Sequence, residues 1–256
     1  MDKINAFQEL HQGDGLFLLG NAWDAASART LEAAGFPAIG TTSWGIADSF
    51  GLPDGEKMKF EEHLKIIQEI VSSVKIPVSA DIESGYSEDK ETIIRHVLQV
   101  AETGAAGINI EDSMKTENGL HGIAEHAECL SAIRTAMDTA GYKNFFINAR
   151  TDVYLQENPS QEEALRRAKA YEEAGASGIF MPGLMEESVI RKIAGALEAP
   201  LNLLSLPGLT DAEKLKEWGI RRFSIGNALS DKIFAIMREE AKRMMDSGDT
   251  AGLYAR

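Results

Sequence analysis

The chain has 256 residues, of which 44% are hydrophobic, so it can bury a large core and its length allows one or two domains. Its formal net charge of −14 argues against nucleic acid or an anionic membrane as a partner. The sequence has neither a signal-peptide pattern at its start nor an apolar run of membrane-spanning length. The lone Cys129 excludes an intramolecular disulfide, and we expect a cytoplasmic protein with no membrane contact.

One sequence phrase repeats along the chain. A helical pattern ends in small residues and glycine, and a short apolar strand follows within a few residues. The phrase occupies residues 32–40, 102–110, 173–181 and 217–225. Glycine after a helix supplies the left-handed backbone that ends it, and the strand behind it belongs to a βαβ unit. The repetition predicts one architecture, and hence a single domain over residues 1–256.

In chain order, the apolar runs predict eight strands. They lie near residues 16–20, 38–41, 78–81, 107–110, 145–148, 178–181, 201–204 and 223–225. Eight strands, each followed by a helical pattern, predict a (β/α)8 barrel. A doubly wound sheet is the alternative, but it usually has fewer strands and a Gly-rich first turn, which residues 19–23 lack.

Carboxylates follow the ends of two neighbouring predicted strands. Asp81 and Glu83 come at the end of the third strand, and Glu111 follows the fourth. Side chains two apart on an extended segment point to the same side, and two close carboxylates are unfavourable unless a cation or a proton lies between them. Active sites of barrels lie at these strand ends. The pattern therefore favours a functional site over its alternative, a solvated acidic loop.

The residue types indicate the chemistry of this site. Asp81, Glu83 and Glu111 offer the hard oxygen ligands that Mg²⁺ prefers, with Mn²⁺ as an alternative metal. Arg150, at the end of the fifth strand, is a planar fork suited to a carboxylate or phosphate; alternatively it forms a structural ion pair with Glu111 or Asp152. A cation beside such an arginine suits a small 2-oxo acid, and it would stabilise an enolate formed by bond cleavage.

Other strand ends carry further candidates. Asn21 follows the first strand, Ser43 and Trp44 follow the second, and Asn202 lies in the seventh; we expect them to contact the substrate. No lysine ends a predicted strand, which argues against Schiff-base chemistry. Histidines and Cys129 are not expected to be catalytic, although His121 stays a candidate.

Two loops are expected to contribute to the site. Residues 113–122 are polar, contain two glycines and follow Glu111 closely, which favours a loop that closes over substrate; a plain exposed connection is the alternative. Residues 44–55 are predicted to form a second loop, which could bring Asp54 towards the metal.

Five motifs resemble the isocitrate lyase/phosphoenolpyruvate mutase superfamily. They are Asn21-Ala22-Trp23-Asp24-Ala25-Ala26-Ser27-Ala28, Gly51-Leu52-Pro53-Asp54, Asp81-Ile82-Glu83-Ser84-Gly85-Tyr86, Asn109-Ile110-Glu111-Asp112 and Asn148-Ala149-Arg150-Thr151-Asp152. The resemblance covers nearly the whole chain. It implies a (β/α)8 barrel, Mg²⁺, chemistry on 2-oxo acids or enolates, and a homo-oligomer, commonly a tetramer whose last helix is exchanged between subunits.

The resemblance also implies roles for individual residues. Ser43 and Trp44 would offer backbone N–H groups to the substrate carboxylate or enolate, and Arg150 would bind substrate. The inner and water-mediated metal shell would consist of Asp54, Asp81, Glu83 and Glu111.

Departures from the superfamily narrow the reaction. Its isocitrate and methylisocitrate lyases carry a Lys-Lys-Cys-Gly-His or Lys-Arg-Cys-Gly-His loop with a cysteine proton donor, and residues 113–122 contain no cysteine. Its phosphonate mutases carry a Lys-Thr-Asn loop and a histidine after strand six. Here residues 115–118 match that loop only in part, and Pro182 stands at the histidine position.

We therefore predict a Mg²⁺-dependent lyase that breaks a C–C bond in a small 2-oxo acid or related carboxylate, in a dimer or tetramer. One alternative is a mutase or hydrolase that acts on the P–C bond of phosphonopyruvate or on phosphoenolpyruvate. The other is a non-catalytic barrel that binds 2-oxo acids.

Overall fold

Eight parallel strands close into a barrel in chain order in the computed structural model, which describes residues 2–13, 15–115 and 119–254. The strands are β1 Phe17–Ala22, β2 Ile39–Thr41, β3 Val78–Asp81, β4 Gly107–Glu111, β5 Phe146–Arg150, β6 Gly178–Phe180, β7 Leu201–Leu204 and β8 Arg222–Ser224. The predicted (β/α)8 barrel is confirmed. β1 and β5 extend two residues beyond their predicted ends, because their last residues face the polar end of the barrel and break the apolar pattern.

Helices surround the barrel and connect its strands. They are α1 Lys3–Gln12, α2 Ala25–Ala33, α3 Ser43–Ser49, α4 Phe60–Ser73, α5 Lys90–Glu102, α6 Ile123–Thr139, α7 Gln161–Glu173, α8 Glu187–Ala194, α9 Ala212–Glu217 and α10 Ala228–Ser247. Side-chain caps fix several of their starts: Asp24 accepts a hydrogen bond from the Ser27 amide at 2.6 Å, and Ser160 accepts one from the Glu163 amide at 3.3 Å. Ser160 thus caps the start of α7.

The N-terminal end of the barrel is covered by α1. Phe7 of this helix is fully buried and packs edge-on against Phe17 and Phe146, with ring centroids 6.0 and 5.4 Å away. His11, one turn later, stacks on Phe146 at 3.9 Å. This apolar plug fills the N-terminal end of the barrel among the described residues.

The barrel interior turns polar towards that open end. Asp81 of β3 is in register with Asn109 of β4, which is in register with Asn148 of β5. Two residues further along, Glu111 is in register with Arg150. Residues in register on parallel strands point to the same side of the sheet. The register therefore gathers side chains that are far apart in sequence at one end of the barrel.

The longest described helix, α10, exposes large hydrophobic side chains to solvent. They are Ile233, Ile236, Met237 and Met245. No helix in the described part of the chain is long and apolar enough to span a membrane. The predicted oligomer and the predicted exchange of the last helix remain predictions.

Candidate active site

A cavity of about 270 Å³ opens at the C-terminal ends of the strands. Its walls are formed by Asn21, Thr41, Thr42, Ser43, Trp44, Asp54, Asp81, Asn109, Arg150, Leu155, Phe180, Pro182, Gly183, Leu204, Leu206, Ser224, Gly226 and Asn227. The lining combines charged and polar side chains with apolar ones. The size suits a small organic acid rather than a nucleotide.

Asp81 is held firmly at the floor of the cavity. Its amide donates to Thr41 Oγ1 at 2.8 Å, and its Oδ2 accepts from the Ser43 amide at 3.2 Å. Its Oδ1 is buried without a hydrogen-bond partner. Burial raises the pKa of Asp81, although the charge of Arg150 opposes the shift. An ionised Asp81 would therefore gain from a cation at its free oxygen.

Lys115 lies between two of the predicted metal ligands. Its Nζ is 2.5 Å from Glu111 Oε1 and 3.0 Å from Glu83 Oε2. Burial disfavours the ammonium, but the carboxylates of Glu111 and Glu83 outweigh it and raise the pKa of Lys115. Sequence analysis placed Lys115 in the predicted closing loop but gave it no role in the site, because it does not lie at a strand end.

Arg150 is fixed by two carboxylates. Its Nη1 lies 2.8 Å from Glu111 Oε2, while Nε and Nη2 donate to Asp152 at 2.6 and 2.9 Å. The structural ion pairs that were the alternative for Arg150 are thus both present, yet the guanidinium also lines the cavity. Burial by itself would raise the pKa of the Glu111 carboxyl. The positive charges of Arg150 and then Lys115 outweigh burial, so the pKa is lowered.

The turn after β3 holds Glu83 in an unusual backbone conformation. Glu83 has a φ of 52°, in the left-handed region that costs a non-glycine residue roughly 1–2 kcal/mol. Its Oε1 lies 3.1 Å from the Tyr86 hydroxyl, which lies 3.0 Å from Nδ1 of the buried His63. Nε2 of His63 is 3.0 Å from the Asp81 carbonyl oxygen. Burial raises the pKa of Glu83 to about 7, against the opposing charge of Lys115.

The other predicted site residues fall into two groups. Asn21, Trp44 and Asp54 line the cavity, and Asn21 also joins strands by donating to the Thr41 carbonyl and accepting from the Gly226 amide, both at 2.9 Å. Asn202 is fully buried, does not line the cavity, and is 3.3 Å from the Ser224 hydroxyl. Asn202 therefore contacts the cavity wall through Ser224, and its predicted contact with the substrate stays a prediction.

Neither Glu83 nor Glu111 lines this cavity, and Glu111 lines a second, outer one instead. The outer cavity measures about 210 Å³ and lies between α5 and α6, with His121 and Cys129 among its walls. His121 lies 3.6 Å from both Glu88 and Glu125. Burial raises the pKa of Cys129 to about 11, which makes its thiol a poor nucleophile.

The predicted closing loop, residues 113–122, is described only outside residues 116–118. Its two arms are paired: the Met114 amide donates to the Gly119 carbonyl at 3.0 Å, and Ser113 pairs with Leu120 in an antiparallel bridge. Closure over a substrate stays a prediction.

The residues around Asp81 fit a hard divalent cation with water ligands. Within residues 2–13, 15–115 and 119–254, no three His, Cys, Asp or Glu side chains converge tightly enough to enclose a metal ion. Mg²⁺, however, usually takes one or two carboxylates and keeps several waters. The unpartnered Oδ1 of Asp81 and the carboxylate of Asp54 at the cavity rim meet that requirement.

The barrel and the carboxylates, arginine and lysine at its open end define a class of proteins: (β/α)8 enzymes that act on small anionic substrates. The family model described as phosphoenolpyruvate phosphomutase matches residues 7–245. The chain belongs to this family, which confirms the predicted isocitrate lyase/phosphoenolpyruvate mutase superfamily.

Curated relatives and solved structures agree with that membership. An uncharacterized protein of Mycobacterium tuberculosis is 35% identical over 87% of this chain and 82% of its own length. A 2-methylisocitrate lyase of Salmonella typhimurium is 29% identical over 86% of this chain and 79% of its own. An oxaloacetate decarboxylase of Pseudomonas fluorescens is 28% identical over 86% of this chain and 77% of its own.

The crystal structure of a putative phosphonomutase from Burkholderia cenocepacia superimposes with a TM-score of 0.90 at 34% identity, covering 94% of this chain and 100% of that one. Oxaloacetate acetylhydrolase in complex with oxalate gives a TM-score of 0.89 at 25% identity, covering 97% and 89%. The relatives thus include named lyases, as predicted.

Proposed function

We propose that this chain is a divalent-cation-dependent lyase that cleaves a C–C bond in a small 2-oxo acid or related carboxylate through an enolate. The observation that carries the proposal is the convergence of Arg150 and the half-satisfied carboxylate of Asp81 on one small cavity. One group supplies fixed positive charge and the other a site for a cation.

Arg150 is well suited to hold a substrate carboxylate. Glu111 and Asp152 fix the plane of its guanidinium before any ligand arrives, so little side-chain entropy is lost on binding. The remaining N–H groups of the fork can donate to a carboxylate oxygen. Fixed charge of this kind also favours the negative charge that develops as the bond breaks.

The first turn of α3 is suited to a second substrate oxygen. The amide of Trp44 lies at a helix start, where backbone N–H groups have no partner within the helix. The neighbouring Ser43 amide is already bonded to Asp81, so a substrate would meet Trp44 first or displace the aspartate.

A bound divalent cation would add Lewis-acid stabilisation of the 2-oxo group and of the enolate. The carboxylates that would hold it are Asp81 and Asp54, and Glu83 and Glu111 would be the further ligands that the family resemblance implies. Lys115 keeps the two glutamates close together without a metal.

The apolar wall of the cavity favours a substrate with a small alkyl group. Leu155, Phe180 and Leu204 are among the apolar residues that line the cavity, and the Phe180 ring lies 5.8 Å from Cζ of Arg150. Transfer of a methyl group from water to such a wall is worth about 0.8 kcal/mol. The proposal therefore extends to branched hydroxy acids and oxo acids, a class that includes the substrates named for the lyase relatives.

A substrate panel tests the proposal. Purified protein is incubated with oxo and hydroxy dicarboxylates, with and without an alkyl group, and pyruvate, glyoxylate, oxalate and CO₂ are measured. We expect one substrate to turn over, with loss of activity in EDTA and recovery with Mg²⁺ or Mn²⁺. No turnover and no Mg²⁺ binding by the wild type would refute the proposal.

Asp81→Asn tests the cation site separately. The variant keeps the side-chain volume and removes the charge, so we expect Mg²⁺ binding measured by calorimetry to be lost while the circular dichroism spectrum is retained. Asp24→Asn is a matched control, since Asp24 caps α2 on the exposed surface. Equal Mg²⁺ affinity of wild type and Asp81→Asn would exclude this ligand.

Phosphorus–carbon chemistry is the second candidate, favoured by the phosphonomutase relative and by the family description. The same arginine and cation would suit a phosphonate. Phosphorus NMR with phosphonopyruvate distinguishes the two reactions, because P–C cleavage or mutation turns the phosphonate resonance into that of a phosphate or phosphate ester. An enzyme that breaks only C–C bonds leaves the phosphorus in a phosphonate. Calorimetric binding of oxalate or pyruvate without turnover of any panel member would instead favour a non-catalytic barrel.

A further inference from the structure

Three non-glycine residues near the candidate site adopt left-handed backbone conformations. They are Glu56, Glu83 and Tyr86, with φ angles of 58°, 52° and 60°. Glu56 belongs to the loop that carries Asp54, whereas Glu83 and Tyr86 form the turn after β3. Backbone strain in a non-glycine residue persists only where surrounding contacts hold it. The contact that holds these residues joins the two segments to each other.

That contact is a single carboxylate oxygen. Oε1 of Glu56 accepts hydrogen bonds from the Ser84 amide at 3.0 Å, the Ser84 hydroxyl at 2.7 Å and the Tyr86 amide at 2.8 Å. Hydrogen bonds to an ionised acceptor are stronger than those between neutral groups. One side chain thus satisfies two backbone donors in the turn that immediately follows Glu83.

The same loop places Asp54 on the cavity wall, two residues before Glu56. Gly55 between them has a φ of 96°, so the chain reverses sharply at this point. The Tyr86 hydroxyl, in turn, reaches Glu83 at 3.1 Å. Fixing Glu56 to the turn therefore fixes the position of Asp54 relative to Glu83.

We propose that Glu56 is a positioning residue: it binds the Asp54 loop to the Glu83 turn and sets both carboxylates on the site together. The inference rests on the proposed cation site, because its consequence is the affinity of that site. Glu56 itself does not line the cavity and is not one of the predicted ligands.

The chain offers a matched control for this role. Oε1 of Glu32 accepts from the amides of Lys75 and Ile76 at 2.7 and 3.1 Å, before the start of β3. Glu32 therefore makes the same kind of carboxylate-to-backbone contact at the opposite end of the barrel. Glu32→Ala measures what the loss of such a contact does to the fold alone.

The first measurement is amide hydrogen exchange of wild type, Glu56→Ala, Glu56→Gln and Glu32→Ala. We expect Glu56→Ala to accelerate exchange at least tenfold in both residues 50–58 and residues 83–89. Glu56→Gln keeps an acceptor oxygen and should accelerate it less than threefold. Unchanged exchange in residues 83–89 of Glu56→Ala would overturn the inference.

The second measurement is Mn²⁺ affinity, followed by electron paramagnetic resonance of free Mn²⁺. We expect Glu56→Ala to weaken binding at least tenfold, Glu56→Gln less than threefold, and Glu32→Ala not at all. Asp54→Asn should cost less affinity in the Glu56→Ala background than in the wild type, because Asp54 is already displaced there. Strict additivity would refute the positioning role.

The outcomes separate the two proposals. Wild type that binds no Mn²⁺ would refute the cation site and, with it, the role of Glu56 towards that ion. Normal wild-type binding with unchanged affinity in Glu56→Ala would refute the role of Glu56 alone.

Discussion

At the scale of single residues, the candidate site contains a row of alternating positive and negative side chains. Lys115 lies between Glu83 and Glu111, and Arg150 lies between Glu111 and Asp152. Removing one partner of a buried pair leaves an uncompensated charge, which is more damaging than replacing both partners. Each side chain in this row is therefore expected to be sensitive to substitution.

Lys115→Met is expected to reduce turnover about 100-fold or more, a loss of about 2.7 kcal/mol in transition-state stabilisation. The substitution keeps the side-chain volume but leaves Glu83 and Glu111 facing each other without a cation. Turnover is measured with the panel member that reacts with wild type. Lys90→Met is the control, because Lys90 pairs with Glu128 at the exposed surface. Equal turnover of Lys115→Met and wild type would leave Lys115 with a packing role only.

His11 gives a pH dependence that is independent of the site. Burial, and then the charge of Arg222, lowers the pKa of His11 to about 3, from an unfolded value near 6.5. Above about pH 6.5 His11 is neutral in both the folded and the unfolded protein, so it does not make the free energy of unfolding depend on pH there. As the pH falls from about 6.5 towards 3, the unfolded state binds a proton that the folded state does not, and stability is lost.

His11→Asn removes this proton uptake and keeps a donor for the Phe7 carbonyl, which His11 Nδ1 contacts at 2.8 Å. We expect the wild type to lose about 1.4 kcal/mol more stability than the variant per pH unit between about pH 6 and 4. Urea unfolding across that range measures the difference. Parallel curves for the two proteins would show that His11 does not carry it.

At the scale of elements, a buried ion pair joins α7 to the ends of β4 and β5. Asp112 is fully buried; its Oδ2 accepts from Arg167 at 3.0 Å and from the Tyr171 hydroxyl at 2.7 Å. Its Oδ1 accepts from the Asp152 amide at 3.0 Å. Asp112 thus supports the strand ends that carry Glu111 and Arg150, without lining the cavity itself.

Arg167→Met is expected to destabilise the fold by about 3–5 kcal/mol, because it leaves the Asp112 carboxylate buried without its cation. Chemical denaturation measures this loss. Arg191→Met is the comparison, since Arg191 forms an exposed pair with Glu187 that is worth about 1 kcal/mol or less. Similar losses for both variants would mean that the buried network contributes no more than a surface pair.

At the scale of the whole molecule, stability and function lie at opposite ends of the barrel. The aromatic plug around Phe7 covers one end, and the charged cavity opens at the other. This separation allows loops at the open end to carry strained and charged residues, because the packed end and the surrounding helices hold the barrel.

The exposed apolar residues of α10 bear on assembly. Ile233, Ile236 and Met237 keep 45%, 46% and 62% of their surface accessible in the single chain. If the predicted oligomer buries this helix, Ile236→Glu should shift the molecular mass measured by light scattering towards that of a monomer. Lys232→Ala, an exposed neighbour on the same helix, should leave the mass unchanged. A monomeric wild type would refute the predicted dimer or tetramer.

The amino-acid sequence by itself determined the barrel and the main strand-end residues. Strand and helix periodicities extend over a few residues, and glycine follows the ends of most described helices, so eight strands could be located to within two residues. Asp81, Glu111 and Arg150 could be placed at the open end, because parallel strands in a barrel all end on one face. Asn202 was placed less well, since a strand position alone does not say whether a side chain reaches the cavity.

Only the tertiary structure decided which charges meet. Lys115 and Glu56 lie in loops, and their partners are 32 and 28 residues away for Glu83 and Ser84 respectively. No local pattern encodes such contacts, because they depend on where two loops come to rest after the barrel has closed. The sequence predicted a cluster of carboxylates. The fold added Lys115, which lies between Glu83 and Glu111, and Glu56, which joins the loop of Asp54 to the turn of Glu83.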